Sequence, residues 1–164
     1  MQDNIRILGI DPGSQITGIG IIDIDKKECI SICHFDIIRT DRKKSLSYRL
    51  KQIYDGIIQV INTYKPNFVA LEDIFYSENI KTAIVMGHAR GICLLASINM
   101  GIEAVEYSPR EIKLSVVGQG GASKSQVQFM VKRLLNYKDN IQPEDASDAL
   151  AVALCHYHRL KKIG

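Results

Sequence analysis

Two apolar segments separated by a turn restrict how the start of the chain can fold. Residues 5–24 read IRILGIDPGSQITGIGIIDI, in which the Asp-Pro-Gly turn at 11–13 divides two isoleucine-rich runs. Short apolar runs bounded by turn residues are typical of buried β-strands. Strands are predicted over Ile5 to Ile10, Ile16 to Ile24 and Glu28 to Ile38. Because the connections are short, we expect these strands to form an antiparallel meander.

Helical and strand patterns then alternate. Leucine and isoleucine recur at helical spacing between Ser45 and Tyr64, and Ser45 is a suitable N-cap. Further strands are predicted at Phe68 to Leu71 and Ile102 to Tyr107. Further helices are predicted at about Ile80 to Met100, at Arg110 to Val117 and at about Asp145 to Leu160. Another is predicted to follow Ser123, as its N-cap, and to end at about Asn136. This order predicts one α/β domain, residues 1–164, with a five-stranded mixed sheet and helices on both faces. In that sheet, three antiparallel strands precede the parallel ones.

The charge is almost balanced, with 21 Lys and Arg against 18 Asp and Glu and a net charge of +3. So small an excess does not by itself indicate a nucleic-acid partner, and the distribution of charge matters more. Basic residues form two clusters: Arg39, Arg42, Lys43 and Lys44, and Lys113, Lys124, Lys132 and Arg133. Each cluster is either a solvated face or a surface for phosphate groups.

The cysteine spacing and the hydropathy favour a cytoplasmic protein. The four cysteines form no CxxC pair and have no zinc-site spacing, so they are interpreted as small buried or half-buried hydrophobes in a reducing compartment. No run approaches the roughly 18 uninterrupted apolar residues of a membrane span. The N-terminus lacks the basic segment and cleavage site of a signal peptide.

Four carboxylates lie at the edges of apolar elements. Asp11 ends the first strand, Glu72 ends the fourth, and Asp145 and Asp148 share one face at the start of the last helix. If the first and fourth strands are parallel neighbours, the last helix can bring its aspartates over their ends. Such crowded carboxylates would repel one another unless a cation lay between them. Mg²⁺ prefers oxygen ligands, and two ions roughly 3.5–4 Å apart can hold a phosphodiester.

Each acidic residue also has a purely structural interpretation. Asp145 and Asp148 could cap the helix or favour its dipole, and Asp11 could serve only the turn before Pro12. Taken together, with each residue next to apolar sequence, the four carboxylates favour a metal-dependent site.

The motifs around these residues resemble a known family. The segments ILGIDPGSQITGIGII, ALEDIF, YSPREIKLSVVGQGGASKSQVQFMV and PEDASDALAVALCH, in that order, are similar to RuvC-type Holliday-junction resolvases. The resemblance runs from about Ile5 to about His158. It implies a ribonuclease-H-like nuclease that binds Mg²⁺, with Mn²⁺ able to substitute, at two ions per active site. It also implies a homodimer that resolves four-way DNA junctions by paired nicks in recombination and repair, together with a branch-migration helicase.

The resemblance assigns roles to individual residues. Asp11, Glu72, Asp145 and Asp148 are the implied catalytic carboxylates and metal ligands, and Lys113 and Lys124 are implied catalytic cations near the DNA. The predicted DNA contacts are Phe75, Tyr76, Lys81, Arg90, Arg110, Lys113 and Lys124. Small residues along the helix from Ile80 to Met100 suit either a dimer contact or packing on the protein's own sheet. The family's longer C-terminal tail is missing from the printed sequence, which stops at Gly164.

Other interpretations are weaker. The GIDPGSQITG turn also resembles the phosphate turn of actin-like ATPases, but that fold needs two such domains and a longer chain. GQGGASKS does not match a P-loop, because the position that requires glycine is Ser123. Two alternatives remain open: another metal-dependent nuclease of the same fold, and a non-catalytic junction-binding protein.

Overall fold

The computed structural model describes residues 4–73 and 79–163. The strands are β1 (Ile5–Asp11), β2 (Ile16–Ile24), β3 (Ile30–Arg39), β4 (Phe68–Glu72) and β5 (Ala104–Tyr107). The helices are α1 (Leu46–Tyr64), α2 (Ile80–Asn99), α3 (Pro109–Val117), α4 (Lys124–Leu134) and α5 (Glu144–Ile163). The predicted order of elements is confirmed.

Two strands begin later than the sequence predicts. β3 starts at Ile30 because Glu28 adopts a positive φ of 61° inside the preceding turn, where its amide donates to the Asp25 carbonyl. β5 starts at Ala104 because Gly101 also has a positive φ and the Ile102 amide donates to the carbonyl of Ser97. In both places the turn holds residues that would otherwise extend the strand.

The sheet is mixed, as predicted. In the described part of the chain its strand order is β3-β2-β1-β4-β5, with antiparallel pairing among the first three and parallel pairing from β1 to β4 and β4 to β5. Strands β1, β3 and β4 therefore run in the same direction and end at one edge of the sheet. Asp11, Arg39 and Glu72 are their last residues. We call this end of the sheet the carboxylate edge.

Helices cover both faces of the sheet. One core lies under α3, α4 and α5, and the other lies between the sheet and helices α1 and α2. Helix α5 approaches β1 and β2 closely because these strands present glycines to it. A Cβ atom at Gly20 would lie 2.5 Å from the amide nitrogen of Leu150. This contact fixes the height of α5 above the sheet.

Side-chain caps fix where several helices begin. Ser45 accepts the amide of Tyr48 and is the N-cap of α1, as predicted. Ser108 and Ser123 each form a capping box, with Glu111 and Gln126 respectively. Because such caps pair amides that lack intrahelical partners, the starts of α3 and α4 are well defined.

Helix α2 divides its small residues between two surfaces. Ala89, Cys93 and Ala96 are buried against the sheet and α1, whereas Cβ atoms at Gly87 and Gly91 would meet nothing within 4 Å. With 20 residues and a mean hydropathy of 1.2, α2 could span a membrane by length and composition alone. One side of α2 therefore packs in the core, and the other side is exposed.

The cysteines and His156 differ in how deeply they are buried. Cys29 is exposed in the β2–β3 turn, so the expectation of a buried or half-buried side chain is wrong there: the turn projects into solvent. Cys33, Cys93 and Cys155 are half-buried or buried, as expected. His156 is 3% exposed and shares a 2.7 Å hydrogen bond between its Nδ1 atom and the Tyr107 hydroxyl.

Replacing His156 should make the free energy of unfolding less dependent on pH. Burial, helped by the charge of Arg159, lowers the pKa of His156 from 6.5 to about 4. Between these values the unfolded chain binds a proton that the folded protein excludes, so stability falls as pH falls. The full effect is about 3 kcal/mol. Urea unfolding at pH 7 and pH 4.5 should therefore show a smaller loss for His156→Phe than for the original protein.

His158→Gln is the matched control for this prediction. Burial also lowers the pKa of His158, but its side chain is only half-buried and its Nδ1 contacts Ser115. We expect the control to keep most of the original pH dependence. Equal losses on acidification for the original protein and His156→Phe would contradict the prediction.

Candidate active site at the carboxylate edge

Asp11 and Glu72 are neighbours because their strands are parallel. The β1–β4 register pairs Ile10 with Leu71, so each acidic residue follows directly on its own strand. Burial raises the pKa of Asp11 well above its ordinary value, and the charge of Glu72 together with a hydrogen bond to it adds to the shift. Burial likewise raises the pKa of Glu72. The sheet thus holds two carboxyl groups in contact at a site that disfavours their negative charge.

The first two turns of α5 bring further carboxylates to this edge. The charges of Asp148 and Asp145 both raise the pKa of Asp11, which places them within electrostatic range of the sheet. Burial raises the pKa of Asp148 itself, against the opposite influence of Lys124. The structure therefore brings together the four carboxylates that the sequence singled out.

Lys124 supplies a positive charge in direct contact with two acidic side chains of α5. Its Nζ lies 3.1 Å from Oδ2 of Asp148 and 3.1 Å from Oε2 of Glu144. Although burial works against its charged form, these carboxylates raise the pKa of Lys124 above its ordinary value. The ammonium group is held at the first residue of α4, where the Ser123 cap fixes the backbone.

A cleft of about 250 Å³ opens among these groups. Its charged lining consists of Glu72, Lys113, Lys124 and Asp148, and the apolar remainder is Pro109, Ile112, Val127 and Ala151. Burial raises the pKa of Glu72, and the positive charge of Lys113 is one of the influences that oppose this rise, so Lys113 acts electrostatically on this site. The cleft combines acidic oxygens with two ammonium groups, a combination suited to a metal-bound phosphate.

The donor chemistry fits an oxygen-preferring cation. Asp11, Glu72, Asp145 and Asp148 offer only carboxylate oxygens, and burial leaves the negative charge of this group poorly compensated. Within residues 4–73 and 79–163, no three His, Cys, Asp or Glu side chains already form a metal-ligand set. The assignment of metal ligands therefore stays a prediction.

The predicted DNA contacts have different surroundings. Phe75 and Tyr76 lie outside the described residues. Lys81 is exposed in the first turn of α2, and the side chain of Arg110 lies against Gly120. Arg90 is ion-paired with Asp73 and Glu106. The DNA-binding role of each of these residues stays a prediction, and Arg90 already has carboxylate partners for its charge.

Two features of the site are not singled out by the sequence patterns. Glu144 shares Lys124 with Asp148, and the spacing of four residues between the two acids is the signal that could have revealed it. The turn after Asp11 is tied down by Thr17, whose fully buried hydroxyl donates to the Gly13 carbonyl at 2.9 Å. Thr17 therefore helps to hold Asp11 in place.

Comparison with known proteins identifies the family. The model of the family described as crossover junction endodeoxyribonuclease RuvC matches residues 7–156. The chain belongs to the RuvC family. A relative with that same description from Desulforamulus reducens is 45% identical over 150 residues, which is 92% of this chain and 91% of the relative. A second, from Syntrophotalea carbinolica, is 49% identical over 156 residues and 94% of each chain.

Solved structures agree with this assignment. T. thermophilus RuvC in complex with a Holliday junction substrate is 28% identical, with a TM-score of 0.90 over 96% of each chain. The yeast mitochondrial Holliday junction resolvase Ydc2 shares the fold at 13% identity, with a TM-score of 0.64 over 97% of this chain and 86% of that one. The predicted ribonuclease-H-like fold and RuvC resemblance are confirmed.

Proposed function

We propose that this RuvC-family chain is a crossover junction endodeoxyribonuclease that resolves four-way DNA junctions in recombination and repair. The observation that carries the proposal is that Asp11, at the carboxylate edge, lies close enough to Glu72, Asp145 and Asp148 for their charges to raise its pKa. A protein that only bound junctions would have no need for this repulsive group. Glu72 and Asp148 line the cleft together with Lys113 and Lys124, and Asp11 interacts electrostatically with Glu72, Asp145 and Asp148, which favours catalysis over binding alone.

We propose phosphodiester hydrolysis assisted by Mg²⁺, with Mn²⁺ able to substitute and two ions in each active site. Asp11, Glu72, Asp145 and Asp148 would hold the metal, which supplies Lewis-acid stabilisation and a nucleophilic water when bound. The strand ends and the first turns of α5 fix the carboxylates before DNA arrives. Lys113 and Lys124 are placed to stabilise negative charge that develops on the phosphate in the transition state.

Paired cutting requires two active sites, so we also propose a homodimer formed through the exposed face of α2. Ile84 and Ile98 on this helix are 55% and 53% exposed, and the bare backbone at Gly87 and Gly91 allows close approach. A two-fold dimer would present identical sites to the two opposed strands of a junction. We also propose that the protein is cytoplasmic and works with a branch-migration helicase. Residues 1–164 are proposed to form a single nuclease domain.

Cleavage of a synthetic four-way junction should separate this function from a general nuclease activity. We expect Mg²⁺-dependent nicks at symmetrically related positions on two opposed strands, because one dimer places one site on each. A linear duplex of the same sequence should remain uncut, and EDTA should stop the reaction. Equal cleavage of the duplex would favour another nuclease of this fold, and tight binding without cleavage would favour a non-catalytic protein.

A further inference from the structure

One basic cluster is not used by the proposed chemistry. Arg39, Arg42, Lys43 and Lys44 lie on the 39–44 segment, which connects β3 to α1, and all four are exposed. In the described part of the chain no ion pair joins these four side chains to a carboxylate. The nearby Asp41 carboxylate instead accepts the amide of Lys43 at 2.9 Å. The 39–44 segment thus carries positive charge that its own fold does not neutralise.

The sheet topology places this segment beside the carboxylates. β1 and β3 run in the same direction, and the registers align Asp11 with Gly18 and Gly18 with Ile37. Arg39 is two residues further along β3, so strand spacing puts its Cα roughly 12 Å from that of Asp11. This distance corresponds to about three or four base pairs along the axis of a DNA duplex.

Hydrogen bonds fix the segment to the turn that follows Asp11. The Thr40 hydroxyl donates to the Ser14 carbonyl at 2.8 Å, and the Thr40 amide donates to the Gln15 carbonyl at 3.0 Å. Arg49, one turn into α1, also donates to the Ser14 carbonyl, at 3.5 Å, while its buried Nε has no partner among the described residues. The basic surface is therefore attached to the backbone of the site itself.

The start of α1 adds to the positive potential. No acidic residue occupies its first turn, although acidic side chains are favoured at helix N-termini. The 39–44 segment lies on the β3 side of Asp11, whereas Lys113 and Lys124 line the cleft that contains Glu72, at the end of β4 on the other side of β1. Cations therefore flank the acidic group on both sides along the carboxylate edge.

From these observations we propose that the 39–44 segment binds the phosphate backbone of the DNA arm that leaves the active site on the β3 side. The inference rests on the proposed function for the identity of the DNA. Exposed, unneutralised lysines and arginines contact phosphates without reading bases. The segment thereby extends the DNA contact beyond the cleft and contributes affinity rather than sequence preference.

A matched pair of double variants tests this surface. Lys43→Gln/Lys44→Gln removes two charges from the segment, and Lys26→Gln/Lys27→Gln removes two from the β2–β3 turn at the opposite edge of the sheet. Binding to a long-armed four-way junction and to a linear duplex is measured in EDTA across a salt titration. The first variant should lower the slope of log Kobs against log salt by about 1.8, and the second should leave it unchanged.

Further measurements keep the result interpretable. Lys43→Gln/Lys44→Gln should melt at the original temperature and should cleave at the original rate when junction is saturating. An unchanged slope, or equal falls for both variants, would overturn the inference, and so would lost cleavage at saturation. Failure of the unmodified protein to cut junctions would instead refute the proposed function, and the salt slopes would still be measurable.

Discussion

Asp11→Asn should abolish junction cleavage while leaving junction binding intact. The substitution keeps the shape of the side chain but removes a negative charge from the group proposed to hold the metal. Loss of metal-assisted charge stabilisation costs several kcal/mol, or a rate decrease of roughly 10³-fold or more. Phosphate contacts come from cationic groups that the substitution does not touch. Single-turnover cleavage with Mg²⁺ and binding in EDTA measure the two effects separately.

The same variant should melt at a higher temperature in EDTA at neutral pH. Burial and the neighbouring acids raise the pKa of Asp11, so its ionised form is less favourable in the folded protein than in the unfolded chain. Asparagine removes that cost. The gain should disappear as pH falls and the original carboxyl group becomes protonated.

Asp36→Asn is the control for both measurements. Asp36 lies on β3, and its side chain is 67% exposed. Its replacement removes the same charge without changing any of the four carboxylates or the lining of the cleft. Cleavage and melting temperature should match those of the original protein. Normal cleavage by Asp11→Asn would refute the assignment of the active site, whatever its effect on stability.

The position of Asp11 and Glu72 could be predicted because strand direction determines which ends meet. Each of the two residues follows an apolar run that was predicted as a strand. The two acids come together if β1 and β4 are parallel neighbours, and β1 and β4 are parallel neighbours. The caps at Ser45 and Ser123 could also be predicted, since capping depends on residues within one turn of sequence. Local patterns and sheet topology thus account for much of the site.

Contacts between elements could not be predicted in the same way. Lys124 and Glu144 belong to different helices. Nothing in either segment specifies that the Nζ atom of Lys124 lies 3.1 Å from Oε2 of Glu144. The exposed Cys29 shows the same limitation, because apolar character alone does not say which side of a hairpin turn faces solvent. These features depend on how whole elements pack.

Gly18→Ala should damage both stability and catalysis, because α5 leaves no room for a side chain there. A Cβ atom at Gly18 would lie 2.0 Å from the Asp145 carbonyl oxygen and 3.3 Å from the Cβ of Asp11. Since the first obstacle is backbone, the start of α5 must move. Overpacking of this kind costs roughly 2–3 kcal/mol, which lowers Tm by roughly 4–12 °C. A shift of about 1 Å in the carboxylates can reduce the cleavage rate about 100-fold.

Gly121→Ala separates this steric effect from the general effect of replacing glycine. A Cβ atom at Gly121 would meet nothing within 4 Å, although the residue lies close in sequence to Lys124. Its melting temperature and single-turnover cleavage rate should stay near the original values. If Gly18→Ala were as stable and active as Gly121→Ala, α5 would have to tolerate displacement, and close packing on β2 could not be what positions Asp145 and Asp148. A stability loss with full activity would mean that the helix yields further along its length while its first turns stay over Asp11.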